Sequence, residues 1–239
     1  MRDDKPTPSA SFSIMTPTVG HGRRGRLGPH RVLPSAALAA TLAAIASGNT
    51  SAYTVNITAA APKTIYLQVG VGSFTALYNN GGQPQNNATV NLVSAAVAAN
   101  AVGNATAQSM TTNSLATNSF LDNFAFCTVP GQLYIGGFYR TAGGNTAAAQ
   151  VTATVPATLT NAAGNTIPFS KISWTSGGIG DAGAEPFPAG TFVNGGVQNV
   201  GSMASNTWNE SCWTFSYLNN TVPAAGTFTG RVLYTMSSP

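Results

Sequence analysis

The stretch GTFTGRVLYTMS, residues 226–237, alternates between two parities along its whole length. Phe228, Gly230, Val232, Tyr234 and Met236 share one; Thr227, Thr229, Arg231, Leu233, Thr235 and Ser237 share the other. Successive side chains of a strand point to opposite faces, so this pattern describes a β-strand with one buried face. The same period recurs upstream. Ile65, Leu67, Val69 and Val71 alternate with Thr64, Tyr66, Gln68 and Gly70, and Tyr53, Val55 and Ile57 with Thr54, Asn56 and Thr58. Further strands are expected near 88–97, 121–129, 132–140, 149–155, 166–174, 189–199 and 207–217. Turn-forming clusters separate them, among them Asn79-Asn80-Gly81-Gly82, Gly143-Gly144-Asn145 and Ala163-Gly164-Asn165.

Composition points the same way. Only 7% of the 239 residues are charged, and exposed helices are normally built from the Lys, Glu and Arg that are scarce here. One segment, 94–102 (SAAVAANAV), has the makings of a short helix. Many short strands with Gly/Asn turns define an all-β chain, most simply an antiparallel β-sandwich of immunoglobulin-like design, with a jelly roll as the alternative.

The net charge of +4 is unevenly placed. Arg2, Lys5, Arg23, Arg24, Arg26 and Arg31 face only Asp3 and Asp4 in residues 1–52, whereas Lys63, Arg140, Lys171 and Arg231 balance Asp122, Asp181, Glu185 and Glu210 thereafter. Residues 21–31 (HGRRGRLGPHR) precede an apolar run over 32–46, followed by small residues at Ala44-Ile45-Ala46 and Thr50-Ser51-Ala52. Basic, apolar and small in that order is the design of a secretory signal peptide. The run is too short for a bilayer span, which takes about 18–20 apolar residues. Residues 1–52 are therefore expected to be an N-terminal extension and leader, with Met15 as a second candidate start. A single domain over 53–239 would be secreted. Export to an oxidising compartment predicts a disulfide between Cys127 and Cys212, the two cysteines of the chain.

Much chemistry is excluded. Both histidines, His21 and His30, lie in the leader segment. The remainder therefore assembles neither a Ser-His-Asp nor a Cys-His site, and imidazole ligands for zinc or copper are missing. Four scattered cations do not match a row of phosphates, so no nucleic-acid partner is expected. Asp181 and Glu185, in the loop GGIGDAGAEPFPAG at 177–190, are the one carboxylate pair that glycoside hydrolysis or calcium would use. Nothing in the sequence fixes their geometry, and a non-enzymatic protein without a cofactor is expected. Trp174, Trp208 and Trp213 are candidates for a sugar-stacking face, the mark of a carbohydrate-binding module. As core residues packed around the disulfide they would have no such role.

The two ends carry the most specific signal. A closing strand with Gly226 at its start and Phe228, Val232 and Tyr234 on one face offers an edge to a further strand. The short alternating segment at Tyr53, Val55 and Ile57 is suited to insert into a neighbour's sheet by β-strand addition. With the leader and the Thr/Asn/Gly-rich body, the ending GTFTGRVLYTMSSP resembles secreted bacterial fimbrial-type subunits, especially the spore-coat-U-like and related pilin-like families. Ser238 departs from the aromatic residue usual next to the end. The resemblance implies a structural surface protein whose partners are copies of itself, a fimbrial chaperone or other subunits.

Overall fold

The computed structural model describes residues 9–16, 55–59, 63–77, 87–143, 147–181 and 183–239. The expected apolar leader run at 32–46, both cleavage sites and Tyr53 lie outside them. The first strands are β1 (Ser9–Thr16), β2 (Val55–Asn56), β3 (Thr64–Val69), β4 (Gly72–Leu77) and β5 (Val90–Ala96). There follow β6 (Gln108–Ser109), β7 (Thr111–Thr112), β8 (Leu133–Arg140), β9 (Ala149–Val155), β10 (Thr158–Thr160) and β11 (Thr166–Pro168). The last are β12 (Ile172–Gly177), β13 (Gly190–Thr191), β14 (Gly196–Met203), β15 (Thr207–Tyr217) and β16 (Gly226–Ser237).

They form two sheets, one ordered β11-β10-β16-β1-β5-β7 and the other β13-β12-β15-β8-β3-β4. In the first, β9 pairs with both β16 and β14; in the second, β2 and β6 pair with β15. The result is the expected all-β sandwich. Among the described residues its strand pairs are antiparallel except β1 with β5. The closing strand keeps its expected parity, with Phe228, Val232, Tyr234 and Met236 all buried. Phe12, Phe169, Phe192, Phe215, Trp174 and Trp213 fill the space between the sheets.

Three local expectations are corrected. Residues 94–102 form no helix: β5 runs to Ala96 and the chain then turns, with the Ala101 N–H donating to the Ala98 carbonyl at 2.8 Å. Residues 121–129 form a loop rather than a strand. The Asp122 carboxylate accepts the Phe124 N–H at 3.0 Å, and Asn123 sits at φ +61°, a turn geometry that breaks a ladder. The expected strand at 189–199 splits into β13 and the start of β14, because Gly195 and Gly196 take φ of +85° and +100° between them.

The disulfide Cys127–Cys212 is formed, with Cα atoms 5.6 Å apart and 85 residues between them in sequence. It fastens the loop before β8 to the middle of β15. Phe126 and Tyr134 pack around it as a small cluster separate from the main core.

Candidate functional site

Two places in this fold bring candidate functional side chains together. The first is the slot between β5 and β16, filled by β1. All of Ser9–Thr16 pairs antiparallel with Leu233–Gly226, and Ser9–Met15 pairs parallel with Val90–Ala96. The Phe12 ring is fully buried, edge-on to Phe169, Phe192 and Phe215 at centroid distances of 5.6, 5.2 and 5.2 Å. Directly opposite is Gly230, where a Cβ would come within 2.6 Å of the Phe169 ring and 2.9 Å of Leu159. Glycine is required at that point for the aromatic cluster to close.

The strand lying against Gly226, Phe228, Val232 and Tyr234 of β16 is β1 of the same chain, whereas the segment at Val55 and Ile57 lies against β15. Val55 pairs with Trp208 and Asn56 with Thr207, while the Ile57 N–H donates to the Asn206 carbonyl at 3.0 Å. Val55 and Ile57 thus pair within their own chain. On that side of β15, β12 covers only Cys212–Tyr217, and β2 completes the open length at Thr207–Trp208. Phe12 was not singled out by the sequence reading. Its signal is the alternation Ala10, Phe12, Ile14 against Ser9, Ser11, Ser13, which the leader reading of 1–52 obscures.

The second place is a cavity of about 820 Å³ beside the disulfide. Asp122 and Phe124 enter it from the loop before β8, Ile179, Asp181 and Glu185 from the loop after β12, and Trp208 and Glu210 from β15. Asp122, Asp181, Glu185 and Glu210 are all the acids that follow residue 52. They are spread over almost ninety positions of sequence, yet every one lines this cavity, and none of Lys63, Arg140, Lys171 or Arg231 does. The two loops meet where the Ile179 N–H donates to the Phe126 carbonyl at 2.9 Å.

The carboxylates are held in place. Tyr134 donates its hydroxyl to Glu210 at 2.8 Å, and Ser211 donates to Glu185 at 2.9 Å. Burial pushes the Glu185 carboxyl above its ordinary range; the Ser211 hydrogen bond opposes this and the Asp181 charge adds to it. A proton bound more tightly in the folded chain contributes stability below the unfolded pKa, and that contribution is lost as pH rises through the folded value. Glu185→Gln is thus expected to match or exceed the parent in urea unfolding near neutral pH, with the difference closing below about pH 4. A variant less stable at neutral pH would mean that the ionised carboxylate is favoured in place.

Of the candidate sugar-binding tryptophans, Trp174 and Trp213 belong to the sandwich core. Their indole N–H groups donate to the carbonyls of Pro188 and Phe187 at 2.9 and 3.0 Å. No exposed stacking face is made from them, which corrects that expectation for these two. Trp208 lies in a second aromatic layer, stacked with Tyr66 and Phe120 at 5.8 and 6.0 Å. It is only 5% exposed, and its N–H has no partner among the described residues. No group of three or more His, Cys, Asp or Glu able to hold a metal ion occurs among the described residues. The fold and its sites define a disulfide-bonded, two-sheet β-sandwich with a strand-filled slot and an acid-lined cavity. Compared with protein-family models, curated proteins and solved structures, the chain finds no match.

Proposed function

We propose that this protein is an exported, non-enzymatic surface subunit of fimbrial type that assembles by β-strand addition. The observation that supports this most is β1. A strand from outside the 53–239 body lies between β5 and β16, hydrogen-bonded on both edges and burying an aromatic ring in the core. Without it the sheet would be split, leaving two unpaired edges and a hole lined by Phe169, Phe192 and Phe215. Open edges of that kind are what strand addition uses. If residues 1–52 are removed on export, the slot must be filled in trans, by a copy of the chain, another subunit or a chaperone.

The test is to express the full chain with its own N-terminus in a bacterial host and recover it from outside the cytoplasm. Mass spectrometry is expected to place the new N-terminus at residue 47 or 53, and light scattering to find species larger than one subunit. A labelled peptide of residues 8–17 should enter the slot, while the same peptide with Phe12→Ala should not. A processed protein that stays monomeric and rejects both peptides would overturn the reading.

A further inference from the structure

Given strand addition, on which this rests, we infer that the slot between β5 and β16 selects a phenylalanine followed by a small hydroxyl residue. Once residues 1–52 are lost, the strand that meets this demand belongs to a different polypeptide, not to a second copy of this chain. The inward half of the pair is Phe12. Its ring is fully buried and meets Phe169, Phe192 and Phe215 edge-on. Gly230 opposite leaves the room, since a Cβ there would come within 2.6 Å of the Phe169 ring. A smaller side chain would leave a hole, and an indole would overfill a site already closed by three rings. A tyrosine would bring its hydroxyl among phenylalanine rings, which offer it no acceptor.

The outward half is Ser13. It lies level with Ser94 of β5 and Thr229 of β16, and the register continues to Thr111 in β7, Thr160 in β10 and Thr166 in β11. Each strand in the order β11-β10-β16-β1-β5-β7 thus contributes one hydroxyl residue to a rank across the sheet, with about 4.8 Å between neighbouring strands. Ser13 is buried within that rank although its parity is opposite to that of Phe12. Cross-strand pairs of this kind favour one register, and a slip by one residue would turn the ring out of the core.

The body of a second copy has no free segment of this type. After residue 52 the phenylalanines followed by Ser or Thr are Phe74, Phe169, Phe215 and Phe228, and all are buried in their own core. The segment that would begin the processed chain reads Tyr53-Thr54-Val55, so it offers a phenol or an undersized valine in place of the phenyl ring. Its continuation at Val55 and Asn56 is already paired with β15. A partner fits if it carries Phe-Ser or Phe-Thr in an extended segment that runs antiparallel to β16.

The experiment uses the full-length, oxidised chain with Phe12→Ala, which weakens β1, and follows labelled peptides by fluorescence anisotropy. The peptides are residues 8–17, the same with Phe12→Tyr, the same with Ser13→Ala, and residues 52–61. Relative to the parent 8–17 peptide, the Phe12→Tyr peptide and the 52–61 peptide are expected to bind about tenfold more weakly or worse. Ser13→Ala should cost about threefold. Equal binding by any of the three overturns the inference while strand addition stands. If even the parent peptide is rejected by the folded chain, strand addition fails and the inference with it. Should Phe12→Ala not fold, urea unfolding of the full-length Phe12→Tyr variant decides instead. Its unfolding equilibrium constant is expected to rise about tenfold, and a variant as stable as the parent overturns the selection of phenylalanine.

Discussion

Phe12→Ala in the full-length, oxidised chain is expected to lower the unfolding free energy by about 3–5 kcal/mol, the usual cost of emptying a buried phenylalanine site. The ring is fully buried and meets three other phenylalanines edge-on, and the neighbouring backbone cannot close the hole. Gly230 lies opposite, and a side chain there would collide with Phe169, so collapse from that direction would require the aromatic cluster to rearrange. The measurement is urea unfolding followed by tryptophan fluorescence, since Trp174 and Trp213 sit in the same core. The same substitution in a gene whose product loses residues 1–52 on export should leave the exported protein unchanged. A full-length variant that unfolds at the parent's urea concentration would show that β1 contributes little to the body it completes.

The expected sandwich was legible because most of its strands bury one face. β16 reads directly from Phe228, Val232 and Tyr234, and β9 from Val151, Ala153 and Val155. Failures fall where local turn chemistry overrides the apolar count. Leu121, Phe124 and Phe126 look like strand residues, but Asp122 and Asn123 turn the chain between them. Phe124 is left half-exposed, and Phe126 packs beside the disulfide.

The two sites were hidden for different reasons. β1 carries a clear two-residue period, but a basic and apolar leader pattern further along removes the whole segment from consideration as structure. The cavity has no linear signal. Asp181 and Glu185 are legible as a pair in one Gly/Pro-rich loop, whereas Asp122 and Glu210 reach it from a separate loop and a strand. Only the sheet register and the cross-link bring them together. Trp208 shows a related limit. Its parity with Glu210 and Cys212 is readable, but its stacking on Tyr66 requires β8 to lie between β15 and β3.

Removing the cross-link should have an effect of similar size to that at Phe12, with a local signature as well. The Cys127→Ala, Cys212→Ala double variant is the suitable probe, because both positions are buried and serine would bring hydroxyls without assured partners. Freeing a loop of 85 residues in the unfolded chain corresponds to about 4.5 kcal/mol in the chain-entropy model, and measured losses usually fall somewhat below that figure. The native state should loosen where the bridge is fixed. The loop before β8 is otherwise held by the stacking of Phe120 on Tyr66, by the Phe126 and Cys127 N–H groups donating to the Thr117 carbonyl, and by the Ile179 N–H donating to Phe126. Those amides should exchange faster in the variant, while amides of β8 facing β3 keep their protection until global unfolding. Because this loop carries Asp122 and Phe124, the cavity should open with it. A loss below about 1 kcal/mol with unchanged exchange at Phe126 and Ile179 would instead assign the loop's position to the aromatic layer and show that the bridge adds little to stability through either the folded or the unfolded chain.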